Sequence, residues 1–201
     1  HIKNTKDIAV MPIMCSRESH CLKELLYQWK EGSLNIKIPF IISNSDRHQE
    51  LASFYGVPYH YIPVSTNDRK ENEVLDLVKG SDTLILARYM QILSGDFIDA
   101  YGKDIINIHH SFLPSFKGSN PYKQALDYGV KIIGATTHYV TIDLDEGPII
   151  KQAVIDISHE DSVQTLKTKG QHLEKITLLE TVRLQADYRI LRFRNKTVVF
   201  K

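Results

Sequence analysis

Three polar side chains stand out by type and placement. Asn107 and His109 lie two apart in Ile105-Ile-Asn-Ile-His-His-Ser111, and Asp145 sits in Thr141-Ile-Asp-Leu-Asp-Glu-Gly-Pro148. An amide N–H can hold a developing oxyanion, and an imidazole can exchange a proton with a reacting group. A carboxylate can orient that imidazole and stabilise its charged form. Together the three can polarise a small carbonyl and manage the protons of an attack on it. Alternate side chains of a strand share a face, so Asn107 and His109 point one way while Ile108 and His110 point the other. Two like-facing polar residues in an apolar strand are costly to bury idly. The same pattern also fits an Asn–His pair bonded to loop backbone, and an acidic turn between strands is commonly only a solvated turn.

His138 reads as a core or supporting histidine behind Asp145. His109, His110, His138 and Asp145 are all potential metal ligands, but adjacent strand histidines diverge and neither His-x-His nor HExxH spacing is present. No metal is expected. Arg88-Tyr-Met-Gln-Ile-Leu93 follows an apolar strand and can line a flat slot suited to a planar heterocycle. A plain connecting loop that buries Met90 and Leu93 fits that stretch equally well.

The elements that must position these groups alternate regularly. Strands are expected at 8–14, 38–42, 59–64, 83–87 and 105–109. The helices between them carry Leu22, Leu25, Leu26 and Trp29, then 48–55, then Val74, Leu75, Leu77 and Val78, with Ser94 capping another. Such alternation predicts an α/β fold, a mostly parallel, Rossmann-like twisted sheet with helices on both faces and its site at the carboxyl ends of the strands. Asn107 and His109 lie at such an end. A helix from Pro121, a strand pair at 132–140 and 149–157, a long helix from Ser162 to about Tyr188 and a terminal hairpin around Asn195 complete the reading. In the long helix, Val163, Leu166, Leu173, Ile176, Leu179 and Val182 recur at helical spacing, and Gly170 interrupts it. That glycine costs roughly 1 kcal/mol against Ala unless something packs close to its backbone.

A length of 201 residues with a net charge of +1 and interspersed charges suits one domain and argues against a nucleic-acid track. Cys15 and Cys21 match no zinc or redox spacing and read as free thiols in a reducing compartment. No apolar run is long enough to span a bilayer. Residues 1–6 are expected to be a linker or remnant, with 7–201 forming the catalytic domain.

The motifs converge on a family. Asn107-x-His109, Ser111-x-Leu-Pro114, and His138 placed seven before Asp145 in Asp-x-Gly-Pro together resemble the folate-dependent formyltransferase/hydrolase fold, to which glycinamide ribonucleotide formyltransferase belongs. Ile108-His-His-Ser-Phe-Leu-Pro114, Met90-Gln-Ile-Leu-Ser94, Gly134-Ala-Thr-Thr-His-Tyr-Val140 and Ser16-Arg-Glu-Ser-His-Cys-Leu22 resemble, more closely, the formyltetrahydrofolate deformylases. The resemblance runs over nearly the whole chain. It implies hydrolysis of 10-formyltetrahydrofolate to formate and tetrahydrofolate, which would supply formate for one-carbon metabolism and purine biosynthesis.

Asn107, His109 and Asp145 would then be catalytic, with His138 supporting them. Met90, Gln91, Leu93, Val140 and Asp143 would grip the folate. Folate is then the substrate, and no cofactor is implied. The expected setting is the cytoplasm, as a homo-oligomer with a small-molecule folate partner and neither nucleic acid nor membrane. Three departures stand out: no N-terminal regulatory domain of the ACT type is present, Gly118-Ser-Asn-Pro-Tyr122 replaces the usual Gly-Ala-x-Pro-Tyr, and Gly95 stands where Pro is common.

The alternative activity is formyl transfer to an amine such as glycinamide ribonucleotide. Its phosphate would want a Gly-rich turn after the first strand, and Cys15-Ser-Arg-Glu-Ser-His20 contains no glycine, although Arg17 could meet an anion. A non-catalytic folate-sensing module is the third reading. It would have no need of Asn107, His109 and Asp145 together.

Overall fold

The structure, a computed structural model, describes residues 8–65, 68–115 and 121–200. The expected remnant at 1–6 and the Gly118–Asn120 departure lie outside the described residues. The first apolar run divides at Pro12 into β1 (Ala9–Val10) and β2 (Ile13–Cys15), followed by α1 (His20–Lys30). The second run divides at Pro39 into β3 (Ile36–Lys37) and β4 (Ile41–Ser43). The first was expected as one strand over 8–14, and the second as one strand over 38–42, which reaches β4 but not β3. Proline brings no N–H to a ladder, and Pro12 and Pro39 break the two neighbouring ribbons at nearly one level. β1 therefore pairs with β3, and β2 with β4, as separate parallel ladders.

The chain continues through α2 (Gln49–Tyr55), β5 (Tyr59–Tyr61), α3 (Glu71–Val78), β6 (Thr83–Ala87), α4 (Gly95–Tyr101) and β7 (Asp104–His109). After α5 (Pro121–Tyr128) come β8 (Ile132–Tyr139), β9 (Ile149–Asp156), α6 (Val163–Ala186) and a hairpin of β10 (Ile190–Phe193) and β11 (Lys196–Val199). The seven-stranded sheet has the order β5-β4-β2-β6-β7-β8-β9. Strands β5 to β7 in that order run parallel, while β8 pairs antiparallel with both β7 and β9. The topological switch lies between β2 and β6.

Two apolar layers cover the sheet. Ile13, Ile85, Ile106 and Ile108 pack under α1 and α6, and Met14, Leu86 and Ile105 pack with Val74 and Phe97 of α3 and α4. The Ser94 hydroxyl accepts from Phe97 N and caps α4, as its position predicts, so Gly95 does not leave that helix uncapped. On α6 the expected stripe holds at Leu166, Leu173, Leu179 and Val182, but Val163 is 48% and Ile176 36% exposed. Their places on the buried face are taken by Glu174, Thr177, Leu178 and Thr181. Gly170 faces Tyr122, whose hydroxyl would overlap any Cβ there, so a close packing partner does account for it. Among the described residues no helix is long and apolar enough to cross a membrane.

Candidate active site

β7 carries Asn107 and His109 to its carboxyl end beside β8, in antiparallel register that sets Asn107 directly opposite His138. The turn leaving β7 is tied down by buried Thr136, whose hydroxyl donates to Ser111 O at 2.9 Å and accepts from Leu113 N at 3.1 Å. Asp145 comes in from the β8–β9 loop. Gly147 makes that approach feasible: the loop lies so close on the end of β8 that a Cβ would overlap the Tyr139 carbonyl. Asp145 itself takes φ +57, a left-handed backbone that Asp tolerates better than most residues.

The side chains meet. His109 Nδ1 is 3.2 Å from Asp145 Oδ2. A carboxylate only accepts, so Nδ1 carries the proton and Nε2 keeps its lone pair in the neutral ring. That Nε2 is buried and has no protein partner among the described residues. His138 Nδ1 donates to the Tyr139 carbonyl at 3.0 Å, which leaves Nε2 to accept from the Asn107 amide at 3.2 Å. His138 Nε2 also lies 3.5 Å from Asp145 Oδ1. Burial pushes the Asp145 carboxyl up, but the hydrogen bond from His109 leads the groups that outweigh burial and hold it well below the usual carboxylate range. An anionic Asp145 at neutral pH is what a supporting carboxylate needs.

These groups border a cleft of about 570 Å³ with mostly apolar walls. Met90, Gln91, Leu93 and Val140 line it, together with Asn107, His109, His138 and Asp145. Asp143 does not line it; its carbonyl accepts from the Thr141 hydroxyl and it is exposed on the loop. The plain-loop reading of 88–93 fails for Met90, which is 53% exposed at the cleft. Ile142 and Leu144 were not singled out in the sequence, yet both line the cleft and are 68% and 58% exposed. Apolar residues alternating with acids in a supposedly solvated turn were the signal for them. Arg88 opens the slot with φ +64, strained for a long side chain, and Met90 N donates to Ser16 Oγ at 3.1 Å to pin the loop to the turn after β2.

A second polar cluster adjoins the first. Glu174 on α6 is 1% exposed. Its Oε2 is 2.8 Å from His20 Nε2 and 3.3 Å from Arg88 Nε, and its Oε1 accepts from the Tyr122 hydroxyl at 2.8 Å. Burial raises the carboxyl, but His20, Arg88 and Tyr122 together hold it below the usual range. His20, Cys21 and Glu174 form the one group among the described residues whose ligand atoms, within 4.8 Å of one another, could surround a cation. Arg88 already supplies the positive charge there, so a metal ion would be repelled.

The formyl transferase family model matches residues 9–182. The chain belongs to the formyl transferase family. It is 48% identical over 194 residues to formyltetrahydrofolate deformylase 2, mitochondrial, of Arabidopsis thaliana, covering 94% of this chain and 59% of that protein. The crystal structure of a formyltetrahydrofolate deformylase from Pseudomonas syringae superposes with a TM-score of 0.95 at 43% identity, covering 98% of this chain and 67% of the other. Glycinamide ribonucleotide transformylase 1 from Symbiobacterium toebii gives a TM-score of 0.89 at 29% identity, covering 96% and 95%. The chain thus spans about three fifths of the length of the curated relatives it matches first. By identity the resemblance leans to the deformylases, while the fold is shared with the transformylases.

Proposed function

We propose that this chain hydrolyses 10-formyltetrahydrofolate to formate and tetrahydrofolate. The observation that carries the reading is the His109–Asp145 pair with its unpartnered Nε2, in a residue that lines the same mostly apolar cleft as Asn107. The pterin would lie in the slot of Met90, Gln91, Leu93 and Val140, with Ile142 and Leu144 closing on it. One Asn107 N–H is held by His138, and the other is available to the formyl oxygen.

Water, its proton passing to His109 Nε2, would add to the formyl carbon, and the oxyanion would draw on the Asn107 amide. Asp145 would stabilise the imidazolium. The imidazolium then returns the proton to N10 as the C–N bond breaks, releasing formate and tetrahydrofolate. No step calls on a cofactor. Cys15 and Cys21 are both buried and free, with burial pushing the Cys15 thiol up to about 12, which suits a reducing compartment such as the cytoplasm.

The test is to incubate the protein with 10-formyltetrahydrofolate, with and without glycinamide ribonucleotide. Formate released without the amine is expected. Release of tetrahydrofolate only when the amine is present would replace hydrolysis by transfer, and folate binding without turnover would leave only a sensor.

A further inference from the structure

The Glu174 cluster does nothing in the steps above, yet it is buried, its carboxylate is engaged on both oxygens, and it is close to the reacting groups. Its Tyr122 ring lies 6.3 Å from the His110 ring, which lies 5.1 Å from the His109 ring. Arg88 reaches both the cluster and the folate slot, but the rest of each lies on opposite layers. Tyr89, Leu93 and Val140 pack with the α3–α4 core, whereas His20 and Glu174 stand on α1 and α6, the helices of the other layer. Two substrates meeting at the end of β7 would have to come from these two sides.

In an open α/β sheet a phosphorylated partner docks at the switch point, over the first strand-to-helix turn and the helix N-terminus behind it. Here that ground is the turn after β2 and the start of α1. His20, the first residue of α1, leans on Glu174 instead of leaving the helix end open. Of the cations around it, Arg88 faces Glu174 and Lys167 faces Glu18, which Gln171 also holds, while Arg17 in the turn itself is exposed. Tyr122 fills the remaining side, pressed onto Gly170.

We infer that the His20–Glu174–Arg88–Tyr122 cluster is the specificity-determining wall of this site, filling the acceptor side so that a phosphorylated amine is shut out and water alone reaches the formyl carbon. The inference rests on the hydrolase reading but is read out separately from it. His20→Ala removes the imidazole from the helix start and frees Glu174 Oε2 for sugar hydroxyls. His20→Gln refills the space and can donate to the same oxygen.

Calorimetric titration of the chain with glycinamide ribonucleotide, without folate, should show no binding to the parent or to His20→Gln at millimolar ligand. His20→Ala should bind at least about ten-fold more tightly than either. In the formate assay the ribonucleotide should then inhibit His20→Ala and leave the parent untouched. Parent binding equal to that of His20→Ala, or no difference between the Ala and Gln variants, would overturn the wall.

If His20→Ala melts below the titration temperature, Tyr122→Ser opens the space from α5, with Tyr122→Phe as the refilled control. Titration needs no turnover, so the two ideas fail separately. A clear Ala–Gln difference in a protein that releases no formate sinks the hydrolase reading and leaves the wall. Formate release with no such difference sinks the wall alone.

Discussion

The end of β7 is flanked by two carboxylate–histidine pairs, Asp145 with His109 at 3.2 Å and Glu174 with His20 at 2.8 Å. Both carboxyls are held below their usual range, and both sit against a buried or nearly buried imidazole. What separates them is the company each keeps. Asp145 belongs to a loop that opens on the cleft, which His109 also lines; the far nitrogens of both histidines, His109 Nε2 and His20 Nδ1, are buried without a protein partner among the described residues, so the cleft is what differs. Glu174 is closed in by a tyrosine hydroxyl and a guanidinium as well. A pair that lines an open cleft can accept a proton from something that arrives; a pair closed in by a tyrosine hydroxyl and a guanidinium holds elements together or fills space. Motif chemistry alone does not distinguish the two.

The sharpest way to break this contrast is Asp145→Asn. The amide keeps the size of the side chain and tolerates the left-handed backbone, but it cannot stabilise an imidazolium. Turnover should fall by about 10²–10⁴-fold, the range general acid–base groups contribute, while folate binding by fluorescence titration persists. Turnover within a few-fold of the parent would show that the carboxylate is no more than a turn residue.

Glu174→Ala should act on stability. It strands Arg88, whose side chain is 12% exposed, without its counter-charge. Breaking a buried pair in this way costs roughly 3–5 kcal/mol. At about 2–4 °C per kcal/mol for a chain of this size, the melting midpoint should drop by on the order of 10 °C. A drop of a degree or two in a calorimetric melt would mean that Arg88 finds water as readily as it finds Glu174, and the cluster would not be a sealed one.

Between the pairs stands His110, and it links them electrostatically. Burial first, then the Arg88 charge and His109, push its pKa down to about 4 from 6.5. A histidine depressed on folding is neutral in the folded state while the unfolded chain still binds its proton. Stability is therefore full above about pH 6.5 and is lost as pH falls toward 4. The two carboxylates, also depressed, lose their contributions only below their unfolded values near 3.8 and 4.5. From about pH 7 to about pH 5, His110 alone should then cost about 2 kcal/mol in urea unfolding. His110→Asn should make that part of the profile shallower, while His48, also depressed by burial, keeps its own share of the slope. An unchanged slope would place His110 in contact with solvent.

Much of the first pair was legible in the sequence and almost none of the second. Asn107, His109 and Asp145 could be read because strand alternation fixes a face and a Gly-Pro turn fixes a loop, both local rules. The parallel sheet followed from equally local alternation of strands and helices. Pro12 and Pro39 were visible, but that they break adjacent ribbons at one level depends on register, which is not local. Glu174 meets His20 from 154 residues away, and nothing in either neighbourhood announces it. The available sign was a charged residue standing on the apolar stripe of α6, four after a glycine. A buried carboxylate must have partners, but which partners only the tertiary structure reveals.

That glycine offers the smallest and most discriminating test. In an ordinary helix Gly170→Ala would stabilise by up to about 1 kcal/mol through backbone propensity. Here the added methyl would meet the Tyr122 hydroxyl and ring, which Glu174 holds in place, so overpacking should instead cost about 1–3 kcal/mol. In a Tyr122→Ala background the obstruction is gone, and the same substitution should turn neutral or stabilising. A double-mutant cycle by urea unfolding measures that reversal directly. If Gly170→Ala costs the same in both backgrounds, Tyr122 is free to swing away, and the cluster on that side of β7 is as open as the one around Asp145.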